Sequence, residues 1–213
     1  MSFSRYHLVH PEMGLKKGLL IVIEGIDGAG KSTQARILLR KLKSLGHNAV
    51  AFREPTRGKW GREIKKLAKR SGSVSPEEEL ALFIRDRKEN VEKSLKPALL
   101  TKKIVVLDRY YYSTIAYQGA KGIDPARIKR LNEKFAVKPD MVIILDIDAG
   151  KGLARIHNRT RKDLLFERKA YLVKVRKIFK SFQGRKFIHI DASRSKKEIS
   201  AEILAHVQRL LLY

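Results

Sequence analysis

Residues 19–42 read LLIVIEGIDGAGKSTQARILLRKL. Leu19–Ile23 is apolar without a break, as in a strand covered on both faces. Beyond it, Ser32–Leu45 carries Ile37, Leu38, Leu42 and Leu45 at helical spacing. The joint between them, Gly25 to Ser32, fits G-x-x-x-x-G-K-[ST] in the strand–loop–helix context that motif requires. Glycines admit torsions that other residues resist. Successive N–H groups can then turn inward as a nest for phosphate oxygens, with the positive end of the next helix behind them. Gly25, Ile26, Asp27, Gly28, Ala29, Gly30, Lys31, Ser32 and Thr33 are therefore the candidate cradle of a nucleoside triphosphate. Lys31 would reach its outer phosphates and Ser32 would ligate Mg²⁺.

Working outward, short apolar runs predict five strands: Leu19–Glu24, Ala49–Arg53, Ile104–Asp108, Met141–Asp146 and Phe187–Asp191. Helices are expected over Ser32–Leu45, Trp60–Ala68, Pro76–Leu95, Pro125–Phe135, Leu164–Phe182 and Lys196–Leu211. Pro and three glutamates at 76–79 suit a helix start. Strands alternating with helices imply an α/β fold, a parallel sheet with right-handed crossovers. Ligands of such sheets sit beyond the carboxyl ends of the strands. Glu24, Arg53, Asp108 and Asp191 end four of the runs, so one polar site along one rim is expected.

The chain has 213 residues, no cysteine and a net charge of +25. The length fits one domain, read as 18–213, with residues 1–17 as an extension ahead of it. The missing cysteines exclude disulfides, thiolate zinc sites and a cysteine nucleophile, and they fit a reducing cytoplasm. No apolar run approaches the roughly 20 residues that span a bilayer, so no membrane association is expected. The positive charge suits an anionic partner, nucleic acid or small phosphorylated ligands; spread along the chain, it suits a solvated cationic surface as well. The six histidines show no metal-ligand spacing.

A P-loop names a superfamily, and the reaction must be read from the rest of the rim. Asp108 follows the third strand, where a carboxylate can orient Mg²⁺ or its waters. Arg109 is next, where a motor ATPase would commonly place a second acid to activate water. Water is therefore disfavoured as the acceptor. Arg53 and Arg57 flank Pro55, and Phe83 and Arg87 lie four apart on one helical face.

Together IEGIDGAGKST, REP, LFIRDRKE and LDRYYYSTIAYQG resemble the thymidylate kinase family, in family order and over nearly the whole chain from Gly18. The resemblance implies a P-loop NTPase fold, three layers α/β/α around a five-stranded parallel sheet. It implies ATP- and Mg²⁺-dependent conversion of dTMP to dTDP on the way to dTTP, in a homodimer that needs no nucleic acid. Asp27 would contact the sugar 3′-hydroxyl and order Arg109. Arg109 with Arg53 or Arg57 would hold the acceptor phosphate. Phe83 would stack on thymine and Arg87 would donate to its O4. Ser113 and Gln118 would lie beside the base, and Tyr117 would crowd the 2′ position. The Glu54–Pro55 bond is often cis in the family. A lid over about 154–165 would supply a catalytic arginine, from Arg155, Arg159 or Arg161. The lid lacks the glycine common in the family, and the choice among the three stays open. Two alternatives remain: a related kinase with a broader or different pyrimidine monophosphate acceptor such as dUMP, and a nucleic-acid-binding ATPase.

Overall fold

The structure, a computed structural model, describes residues 15–68, 74–156 and 162–212, with 162–166 as backbone only. Strands β1 (Leu19–Gly25), β2 (Ala49–Arg53), β3 (Ile104–Asp108), β4 (Met141–Asp146) and β5 (Phe187–Asp191) form one parallel sheet. Their order is β2-β3-β1-β4-β5. The expected strands are all present, β1 running one residue longer. Every residue of β1 and β3 is buried, as is β4 up to Asp146. That is why these runs carry no polar alternation. The edge strands β2 and β5 are only partly covered.

The helices are α1 (Lys31–Ser44), α2 (Lys59–Leu67), α3 (Pro76–Asn90), α4 (Lys96–Leu100), α5 (Tyr111–Gly119), α6 (Pro125–Glu133), α7 (Ala149–Ala154), α8 (Lys162–Ser181) and α9 (Lys196–Leu211). Local chemistry sets several starts. Ser75 with Glu78 and Ser195 with Glu198 form capping boxes on α3 and α9. Asp124 and Asp148 cap α6 and α7. Each such cap satisfies N–H groups that the helix cannot.

Three features depart from the sequence-based expectation. The helix from Pro76 does not end at Leu95 but widens into a π turn over Val91–Leu95 and continues as α4. The wide turn falls just ahead of Pro97, whose ring cannot donate to the helix ladder and needs room at the preceding turn. Helices α5 and α7 were not anticipated. α5 packs against α3, α6 and α8 and is buried on nearly every side, so its sequence shows no polar stripe. α7 is too short to show a period.

Parallel strands bring their carboxyl ends to one rim, and the loops after β1, β2 and β3 meet there. Among the described residues no helix is long and apolar enough to cross a membrane.

Candidate active site

Glycine geometry shapes the first loop. Gly25, Gly28 and Gly30 take φ values of +138°, +80° and +94°, a region that suits glycine. Space is closed at Gly28 as well. A β-carbon there would lie 2.0 Å from the Gly152 carbonyl oxygen, and one at Gly152 would lie 2.7 Å from that of Asp27. The P-loop thus rests backbone to backbone on α7. α1 then starts with no capping side chain and no acid in its first turn. Its free N–H groups and the positive end of its dipole stay available to an anion.

Charged side chains surround that loop. Lys31 is buried and donates to the Ile26 carbonyl at 2.6 Å. Burial, and then the Arg109 charge, push its ammonium down to about 7 against the opposing pull of Asp27, Asp108 and Glu24. Ser32 Oγ donates to Asp108 Oδ2 at 2.5 Å. Arg53 Nε lies 3.6 Å from the same oxygen, across the register of β2 and β3. Asp108 Oδ1 is buried without a partner. A free carboxylate oxygen beside a P-loop hydroxyl fits a hard cation such as Mg²⁺. Among the described residues no cluster of three or more His, Cys, Asp or Glu is set to hold a metal. The protein would supply only part of the coordination, as is usual where phosphates complete an Mg²⁺ shell. Thr33 follows, half-buried, at the start of α1.

Arg109 has a φ of +71°, uncommon for a residue with a side chain. Its N–H donates to the Ile23 carbonyl at 3.0 Å. The guanidinium turns back to the P-loop, pairs with Asp27 and donates to Ser113 Oγ at 3.2 Å. The Tyr117 ring centre lies 5.2 Å away. Burial alone would raise the Asp27 carboxyl, but Arg109 and Lys31 outweigh it and hold the group below its ordinary value. Behind this turn sits Glu24, wholly buried. It accepts from the Tyr110 and Ser113 N–H groups at 2.7 and 3.1 Å and from Ser113 Oγ at 2.5 Å. Burial pushes its carboxyl up to about 7 against those hydrogen bonds and the nearby Arg109.

A family model described as thymidylate kinase matches residues 23–203. The chain belongs to the thymidylate kinase family. It is 46% identical to the thymidylate kinase of Akkermansia muciniphila, over 89% of this chain and 91% of that one. It is 44% identical to the thymidylate kinase of Brachyspira hyodysenteriae, over 88% and 92% respectively. A probable thymidylate kinase of Archaeoglobus fulgidus is 41% identical over 91% and 96%.

The other residues that the resemblance singles out differ in access. Phe83 is half-buried on α3. Arg87, one turn on, is 1% exposed. It donates to Glu54 at 2.8 Å, Asn132 at 2.7 Å and Thr114 at 3.0 Å. Asn90 holds the other Glu54 oxygen at 3.0 Å, and Asp86 accepts from the N–H and hydroxyl of Thr56 at 2.8 and 2.6 Å. α3 thereby clamps the turn after β2, including its cis Glu54–Pro55 peptide, between Arg53 and the exposed Arg57. Gln118 is buried and donates to Glu79 at 3.1 Å, while its Oε1 has no partner. Arg155 is exposed and donates to the Ala192 carbonyl at 2.9 Å, tying the end of α7 to the loop after β5. Arg159 and Arg161 lie outside the described residues, as does the middle of the expected lid, 157–161.

Sequence reasoning gave Glu24 only as a charged strand end. It gave no side-chain role for Glu54, Thr114 or Asn132, and nothing for Gly152. A charged residue closing an all-apolar strand was the available signal for Glu24. The others had none, because their partners lie far away in the chain.

Proposed function

We propose that the protein transfers the terminal phosphoryl group of ATP to dTMP, giving ADP and dTDP. The observation that supports this most directly is the Asp27–Arg109 pair. It holds a guanidinium against the P-loop, where a water-activating acid would serve hydrolysis. An acceptor phosphomonoester has its second pKa near ~6 and is largely dianionic at neutral pH. It needs no general base, so catalysis reduces to alignment and charge neutralisation.

The roles we assign rest on position at the P-loop and on the family resemblance elsewhere. The P-loop amides and Lys31 bind the donor phosphates. Lys31 would exchange its Ile26 carbonyl for phosphate oxygens, which restores the ammonium that burial disfavours. Ser32 Oγ and Asp108 would hold Mg²⁺, which neutralises charge on the donor phosphates. Arg109, with Arg53 or Arg57, would bind the acceptor phosphate, and Asp27 would orient Arg109 and the sugar. Phe83 would stack on the pyrimidine. Gln118 and Ser113 would lie near it, with Arg87 at its edge and Tyr117 against the 2′ position. An arginine from the lid, about 154–165, would close on the moving phosphoryl group. We read 18–213 as one catalytic unit acting as a homodimer in a reducing cytoplasm.

The test is a transfer panel with ATP and each deoxy- and ribonucleoside monophosphate. The expected outcome is dTMP preferred by an order of magnitude or more, since buried donors left unpaired penalise the wrong base. Equal turnover of dUMP or dCMP would move the protein to a broader kinase. ATP hydrolysis stimulated by DNA or RNA, falling steeply with salt, would move it out of the class.

A further inference from the structure

We propose that Glu24 is a positioning residue for Arg109. From the end of β1 its carboxylate caps α5 and, through Ser113, sets the guanidinium that faces the acceptor. This deepens the transfer reading above and rests on it.

The first N–H groups of a helix need acceptors. The N-cap residue of α5, Tyr110, makes no side-chain cap, though its carbonyl accepts from the Ser113 N–H at 3.0 Å. Glu24 adds side-chain acceptors from another element. One oxygen takes the N–H groups of Tyr110 and Ser113, and the other takes the Ser113 hydroxyl. A carboxylate in that place also meets the positive end of the helix.

The direction of each bond follows when Glu24 is ionised. A carboxylate only accepts, so Ser113 then donates its one hydroxyl proton to Glu24. Its lone pairs are left for Arg109 Nη1, at 3.2 Å. The relay reads Arg109 to Ser113 to Glu24, and Asp27 holds the opposite side of the guanidinium. The backbone is held from the same strand. Ile23 accepts from the Arg109 N–H and Glu24 from the Tyr110 N–H. Two consecutive β1 residues thus fix both amides of a left-handed turn, a conformation that persists only when its surroundings impose it.

Packing alone does not explain the residue. A wholly buried carboxylate is costly unless its hydrogen bonds and neighbouring charge compensate. Glutamine has the same shape and keeps one accepting oxygen for the two amides. Its NH₂, however, would face the Ser113 hydroxyl as a donor. The relay would lose its direction, and Arg109 would keep Asp27 alone as a nearby counter-charge.

The test compares wild type, Glu24→Gln, Glu24→Asp, Ser113→Ala and the Glu24→Gln/Ser113→Ala double variant, by steady-state kinetics and by separate calorimetric titrations of dTMP and ATP. Glu24→Gln should lose about 10- to 100-fold in kcat/KM and affinity for dTMP. ATP affinity should stay within about twofold. Glu24→Asp, which keeps the charge, should recover part of the loss. The double variant should be no worse than Glu24→Gln, because both changes break one relay. Wild-type dTMP kinetics in Glu24→Gln, equal losses for ATP and dTMP, or additive losses in the double variant would overturn the proposal. If Glu24→Gln does not fold, Ser113→Ala decides, and unchanged dTMP kinetics there would overturn it. A wild-type protein that leaves dTMP unphosphorylated fails the transfer reading instead. The Arg109 rotamer in a Glu24→Gln crystal structure then decides: a guanidinium still on Asp27 and Ser113 overturns the proposal, and a displaced one supports it.

Discussion

The P-loop and the Arg109 turn face the same rim but are held in different ways. The P-loop is contiguous chain. Its shape comes from glycine torsions, an uncapped helix start and backbone contact with α7. The Arg109 turn sits on a strained φ and is held by side chains, Asp27 and Glu24 from distant positions and Ser113 from the helix that follows. The neighbouring turn after β2 depends likewise on Asp86, Arg87 and Asn90 of α3. A half built of backbone tolerates change elsewhere and fails when its own residues change. A half built of side chains can be undone from the far end of a helix.

The largest effect should come from breaking the donor half alone. Lys31→Ala should lower kcat by roughly 10⁴-fold. Calorimetry should find dTMP affinity little changed, and a matching loss of dTMP binding would merge the two halves into one. Next, Arg87→Leu leaves Glu54 buried without its cation, a loss of about 3–5 kcal/mol in stability. Denaturant titration reads it. Native stability with lost pyrimidine selection would make Arg87 a base reader only and remove α3 from the support of this half. Arg109→Ala should then cost on the order of 10²-fold in kcat/KM for dTMP. A dTMP titration against an ATP titration would show whether the loss stays on the acceptor side.

The smallest effect lies outside both halves. Arg176 on α8 donates to both oxygens of Asp146 at the end of β4, at 2.6 and 2.9 Å. That hydrogen bonding, partly offset by burial, holds the Asp146 carboxyl below its ordinary value of 3.8. A depressed acid adds stability that is complete above that value and is lost as the pH falls through its folded pKa. The pair is partly exposed, so the contribution should be at most about 1 kcal/mol. Melting of Asp146→Asn against wild type between pH 7 and pH 3 measures it, and a difference that grows on acidification would contradict the assigned sign.

The same division decides how much could be read in advance. The sheet was legible because strands buried on both faces are continuously apolar, as Leu19–Ile23 is. The donor half was legible because one short pattern encodes it. α5 was not, since a helix buried on nearly every side loses its polar stripe. The resemblance named Arg87 for a base, and the structure adds an anchoring role, with donations to Glu54, Asn132 and Thr114. No spacing joins position 87 to position 132. The +25 charge is not explained by the site, which uses only a few of the 47 basic residues.

The contact between Gly28 and Gly152 has a practical corollary for anyone redesigning this nucleotide cradle. Gly152 belongs to no signature that a pattern search would flag, yet a methyl group there would collide with the cradle's own carbonyl. Libraries that diversify Gly25–Ser32 should leave this remote partner invariant, and variants at 152 deserve to be screened as P-loop variants.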